Sequence, residues 1–206
     1  NRNLYIKSNF INAYAIGEYK FSTLLATLQN HLHQELPNII SRKTIKAADK
    51  LSFSINVQDT TFLRQIVLKN ITIPEEAIIK GNIYGCDSLR ISAHIPHLHF
   101  NKEYFRNSSL NIHSSNKFLT SLFTTERRQK RGFTTLSLKA NAGDNRLRVI
   151  TGIDNQRQPR TKGELDITAN FINTRNNDPH ITAWIAPTVL TVSDMPWSIH
   201  PTNLTL

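Results

Sequence analysis

Eight histidines, one cysteine and a handful of carboxylates are the residues with the chemistry to bind a metal or move a proton. His94, His97 and His99 lie close together, and in an extended strand His97 and His99 share a face. A zinc site needs three or four ligands, usually oriented by hydrogen-bonded carboxylates behind them. Only Glu103 is near this trio in sequence, and alternation sets His94 beside Arg90 and Ser92 on a polar face. The trio therefore reads as a surface cluster, and no metal or other cofactor is expected. His31 and His33 fall in a helical stretch and are expected to flank its polar side. Glu75 and Glu76 follow Pro74 in a turn, and Asp166 stands alone on a strand. Cys86, Asp87 and Ser88 have no histidine at a nucleophile-activating spacing. No phosphate-cradling glycine loop, nucleophile elbow or paired-histidine zinc motif occurs. These residues point away from an enzyme.

The net charge of +10 favours acidic partners. Its one dense run, Arg127, Arg128, Lys130 and Arg131, lies between the apolar cluster Phe118, Leu119, Leu122, Phe123 and a strand starting near Phe133. It reads as a solvated loop. The aromatic-rich signature of RNA-stacking sheets is missing, so no nucleic-acid partner is expected. A single cysteine excludes an internal disulfide framework. The chain starts at Asn1 and has Met195 as its only methionine, which reads as a piece of a longer protein. A leader or membrane anchor is then expected outside it.

The dominant pattern is strict apolar–polar alternation, the period of a half-buried strand. Leu51, Phe53, Ile55 and Val57 alternate with Ser52, Ser54 and Asn56, and the pattern returns in at least five later segments. Strands are expected in residues 1–20 and near 51–57, 71–73, 77–84, 88–95, 97–100, 109–113, 133–140, 146–153, 163–172, 180–186, 188–192 and 197–200. Pro96 marks a change of phase between two of them. Ala142–Asn145 is the best tight hairpin. One long helix is expected at 22–36, with Leu24, Leu25, Leu28, Leu32 and Leu36 on one stripe, Ser22 as its cap and Pro37 as its stop. A short helix is expected after Asp59. Residues 1–68 thus form a strand–helix–strand–helix part and 69–206 a strand-rich part of one unit. Two helices cannot cover so many one-faced strands, so the sheet must cover itself as a sandwich, a barrel or a trough.

Three stretches carry a likeness: "GEYKFSTLLATLQNHLHQELP", "VLKNITIPEEAIIKGNIYGCDSLRISAHIPHLHFNKEYFRNSSLNI" and "ITAWIAPTVLTVSDMPWSIHPTNLTL", the last with Trp197 in its "MPWSIHP". Together they resemble the TamB family of translocation and assembly module proteins and its AsmA-like relatives in the Gram-negative envelope. The resemblance implies a mainly β fold: an elongated, curved antiparallel sheet forming an open trough or incomplete barrel, taco-like in section. It implies a periplasmic segment of a protein anchored in the inner membrane by parts outside this chain. It implies a conduit for phospholipid between the membranes, a role in outer-membrane protein assembly, and a BamA-like barrel as partner.

Within that frame the groove lining, meeting lipid acyl chains, is assigned to the apolar parity of the strands. These residues are Leu89, Ile91, Ala93, Ile95, Leu136, Leu138, Leu147, Val149, Leu165, Ile167, Phe171, Ile181 and Ile185. Arg90, Lys139, Arg146 and Arg148 form a dispersed positive face, either solvated or a rim for anionic headgroups. The 22–36 helix is long for a uniform trough and is expected to plug or cap it locally. The alternative is a closed β-sandwich serving as a binding or adhesion module of the envelope. The few tyrosines and tryptophans, five and two, argue against sugar stacking there.

Overall fold

A computed structural model describes residues 1–45, 49–58, 60–61, 70–115, 117–173 and 179–205. The strands are β1 (Arg2–Lys7), β2 (Ile11–Glu18), β3 (Lys50–Val57), β4 (Ile71–Thr72), β5 (Ala77–Tyr84), β6 (Ser88–Phe100), β7 (Glu103–Ser115) and β8 (Phe118–Gln129). They continue with β9 (Gly132–Gly143), β10 (Arg146–Asp154), β11 (Lys162–Asn173), β12 (Pro179–Ile185), β13 (Thr188–Val192), β14 (Met195–Ile199) and β15 (Thr202–Thr205). One helix, α1 (Phe21–Glu35), interrupts them. The short helix expected after Asp59 lies outside the described residues.

All strands join one curved antiparallel sheet in the order β1-β2-β3-β5-β6-β7-β8-β9-β10-β11-β12-β15. The β13–β14 hairpin branches from β11, and β4 adds to the end of β6. Neighbours in sequence pair in space because short turns permit nothing else. Asp144 and Asn145, both at positive φ (51° and 58°), make the tight β9–β10 turn that their residue types suit. Among the described residues β1 and β15 do not pair with each other, so the sheet stays open. A hydrogen-bond-closed barrel is therefore not the architecture: the strands form one open, curved sheet.

Three expectations need correcting. The segment 118–129 is a full strand, with Arg127 and Arg128 inside it rather than in a loop. Arg127 is tolerated there because Glu103 on β7 takes both its Nε and Nη2 at 2.8 Å. β6 runs unbroken through Pro96, which sits where the missing N–H breaks the β6–β7 pairing between Ile95 and His97. β7 carries a bulge at the same level, between Arg106 and Ser109, with Asn107 at φ 51°. A final strand, β15, follows β14 where none was expected.

The helix also sits differently from its expected pose. Lys20, not Ser22, holds the N-cap position and offers no side-chain cap. Asp49, just before β3, does that work from outside: its Oδ1 accepts from the Lys20 N–H and Thr23 Oγ1, both at 2.9 Å, and its Oδ2 accepts from Thr27 Oγ1 at 2.6 Å. Of the leucine stripe, Leu24, Leu28 and Leu36 pack on the sheet. Leu25, at 77% exposure, and Leu32 face outward. His31, assigned to the polar side, is fully buried with Thr27 and Glu35. The leucines span too wide an arc to define one face, and the buried side runs through Thr27, His31 and Glu35.

Candidate ligand groove

Strand registers and side-chain alternation fix which residues share the face that carries α1. At the helix end a first row runs Leu51, Ile83, Leu89, Ser114, Leu119, Ala142, Leu147 and Ala169 through successive cross-strand pairs. Leu51, Ile83 and Leu89 pack with Tyr19, Leu24 and Leu28. Leu119 and Ala142 pack with Leu36 and Phe171, joined by Ile40, Leu147, Ala169 and Ile181. Phe171, near the end of β11, pairs with Ile181, near the start of β12, beneath the segment that follows α1.

Two residues further along each strand, a second row runs Ala15, Phe53, Gly81, Ile91, Ile112, Ser121, Ala140, Val149, Ile167 and Ile185. Gly81 leaves room for the Phe53 ring, which crosses it where a Cβ would stand. A third row runs Ile6, Ala13, Ile55, Ile79, Ala93, Leu110, Phe123, Leu138, Thr151 and Leu165. A fourth contains Ile95 with Ser108, and Thr125, Leu136, Ile153 and Gly163. All thirteen residues assigned to the lining thus stand on one face. Phe53, Ile55, Ile79, Leu110, Ile112 and Phe123 share it, although the lining was not assigned to them. Their signal was the same parity, weakest in β7 and β8 where serine and threonine interrupt it.

Exposure divides this face. Leu89 and Phe171, at the helix end, are buried; Ile91, Val149, Ile167 and Leu165 are only partly covered, and Leu138 is 39% exposed. The face spans about 40 Å across the strands from β2 to β12 at ~4.8 Å per strand. Helix α1 crosses the strand ends in strand order. Its start meets β2 and β3 through Tyr19 and Asp49, and Glu35 meets Ser114 of β7 at 3.4 Å. Beyond it, Asn38 binds the Asn145 side chain at 2.8 Å and the Phe171 carbonyl at 2.6 Å. The helix is a wall along one long side, Leu190 of β13 lies over the inner face at Gly163, and the middle rows between them are only partly covered.

The wall is polar where it meets the strand-end turns. Glu35 is fully buried, with Oε2 lacking any hydrogen-bond partner. Burial pushes its carboxyl above the usual glutamate range, against the Ser114 hydrogen bond, while Asp144 raises and Lys117 lowers it. Burial pushes His31 below the usual histidine range, with the Gly85 backbone and Asp87 pulling the other way. A raised carboxylate pKa contributes stability below its unfolded value and loses it as pH rises through the folded value. Glu35→Gln is therefore expected to gain about 1 kcal/mol at neutral pH. The gain should vanish near pH ~3, below the ordinary glutamate pKa, where the carboxyl is protonated in both states. Urea melts of the two proteins at both pH values check this. His31 has the opposite sign: its contribution is lost as pH falls below the usual histidine range.

Of the two readings of the dispersed cations, solvated face or headgroup rim, their placement fits the solvated face. Arg90, Lys139 and Arg148 lie on the outer face of the sheet, and Arg146 at the β9–β10 turn. Arg148 is engaged by Asp166, with Nη2 to Oδ2 at 2.6 Å, which holds that carboxyl below its usual range. On the outer face His97 stacks on Tyr104 and His99 meets the same ring at a tilt, and no cluster of metal-binding type occurs among the described residues. No described helix is long and apolar enough to cross a membrane. No protein-family model, curated protein or solved structure matches the chain.

Proposed function

We propose that this chain is a segment of a TamB-like envelope protein whose apolar groove holds phospholipid acyl chains, as a conduit between the inner and outer membranes. The observation that carries the reading is the in-register apolar face from β2 to β12, walled by α1 along one side only and left partly exposed in its middle rows. An ordinary core would be covered by a second layer. An open apolar face of this length is the feature of a surface that expects an apolar guest.

The mechanism is physical. Each methylene of an acyl chain moved from water onto such a face gains about 0.8 kcal/mol. Neighbouring rows offer nearly equal environments, so a chain can slide along the strand order with small steps in free energy. Headgroups stay outside at the open side, opposite α1. The reading needs no catalytic residue and no cofactor. It places the protein in the periplasm, anchored through parts outside this chain, and adds a BamA-like barrel as a partner in protein assembly. The unpaired edges at β1 and β15 are then places where adjoining segments add strands.

Photo-crosslinking residues introduced at Leu138 or Ile167 should capture phospholipid in cells. Their failure to do so in a protein that accumulates and folds would remove the conduit reading for this segment.

A further inference from the structure

The turns at the two sides of the groove differ in charge. On the side of α1 the signs are mixed: Asp87 and Asp144 stand with Lys117, Arg146 and the nearby Arg42, and Glu35 lies behind them. On the opposite side they carry Lys102 in the β6–β7 turn, Lys130 and Arg131 in the β8–β9 turn, and Arg157 and Arg160 in the 155–161 loop. Of the carboxylates there, Glu103 is engaged by Arg127, Glu126 by Arg106 and Asp154 by Arg160, while Glu75 meets His97, Glu76 the Asn56 amide and Asp194 the Arg160 N–H. Lys102, Lys130, Arg131 and Arg157 have no ion-pair partner among the described residues.

The 155–161 loop is braced rather than loose. Asn155 Oδ1 accepts from the Arg157 and Thr161 N–H groups, Asp154 Oδ1 from Gln156 N–H, and Asp194 Oδ1 from Arg160 N–H at 2.7 Å. This frame presents Arg157 towards the β8–β9 turn, where a Cβ on Gly132 would stand 3.6 Å from its Nη1. That Nη1 is shielded from solvent and has no acceptor, and neither has Arg160 Nε. Arg157, beside Lys130 and Arg131, makes a fixed cationic notch, and Arg160 next to it is paired with Asp154. A planar guanidinium matches phosphate oxygens in pairs.

We infer that this side of the groove docks on an anionic phospholipid surface, with headgroup phosphates engaged by Lys102, Lys130, Arg131 and Arg157. This rests on the groove reading, since it makes the basic side the one through which headgroups project. It also replaces Arg90, Lys139, Arg146 and Arg148 as the headgroup-facing cations.

Flotation with vesicles tests it on the intact chain. Binding is expected to phosphatidylglycerol–phosphatidylcholine vesicles and not to phosphatidylcholine alone, and to fall steeply with added salt. The double variant Lys130→Glu, Arg131→Glu, confined to an exposed turn, should weaken binding by about thirtyfold or more. Arg157→Gln should weaken it less while melting like the parent protein. Equal binding to both vesicle types, or unchanged binding by the double variant, overturns the inference. So does displacement of the protein from vesicles by millimolar inorganic phosphate or by a single-stranded oligonucleotide, which would assign the notch to free phosphate or nucleic acid. Lipid capture at Leu138 separates the two readings. If capture persists while charge-selective vesicle binding is absent, the docking inference fails alone; if capture is absent while that binding persists, the conduit fails alone.

Discussion

Val149→Arg is expected to abolish lipid capture while leaving a folded protein. Val149 sits in the second row, paired with Ala140 and Ile167, partly exposed and beyond the reach of α1. An arginine there can run its stem along the apolar face and turn its guanidinium toward the open side. The cost to folding is therefore modest, about 1–3 kcal/mol, well below that of an unpaired charge locked in a core. A lipid chain meets a much larger penalty, because the row it must cross now holds a hydrated charge. Capture at Ile167 should fall by at least about tenfold, the equivalent of two buried methylenes. Urea melts and crosslinking on the same variant separate the two effects. A variant that cannot fold would show that the face is a closed core.

Asp49→Ala is expected to cause the largest loss of stability among polar substitutions, about 3–5 kcal/mol. The carboxylate is buried and accepts from Lys20, Thr23 and Thr27, so it caps α1 and fastens it to the start of β3. Truncation leaves a helix N-terminus without its anion and two hydroxyls without their acceptor. Asp49→Asn keeps the shape and should lose less, about 1–2 kcal/mol. Hydrogen exchange should show α1 opening first, because its hold on the sheet passes through Asp49 at one end and Asn38 at the other. A loss below about 1 kcal/mol for Asp49→Ala would mean that the leucines alone seat the helix.

What could be read from the chain was what local period determines. Alternation placed most strands, since a two-residue period needs only neighbours, and it put all thirteen assigned lining residues on one face. What could not be read depended on partners far away in sequence. Arg127 and Arg128 looked like a loop because Glu103, which neutralises Arg127, arrives from another strand. His31 looked exposed because the strand ends that bury this end of the helix come from far along the chain: Ser114, which meets Glu35, is 79 residues from it. The Leu24–Leu36 stripe showed that a helix exists, but its orientation was set by Asp49 and by polar contacts invisible to hydrophobic patterning. The cations that matter to the groove were likewise a matter of which turns gather at one side, a property of topology rather than of spacing.

The central claim is that one face of this sheet, and not the other, receives lipid. A crosslinking scan at Leu138, Val149 and Ile167 on the inner face, against their outer-face neighbours Lys139, Ile150 and Asp166, tests it most directly. The account predicts phospholipid adducts at the first three positions and none at the second three. Adducts of equal yield on both faces, or none at Leu138 and Ile167 in the folded protein, would contradict it.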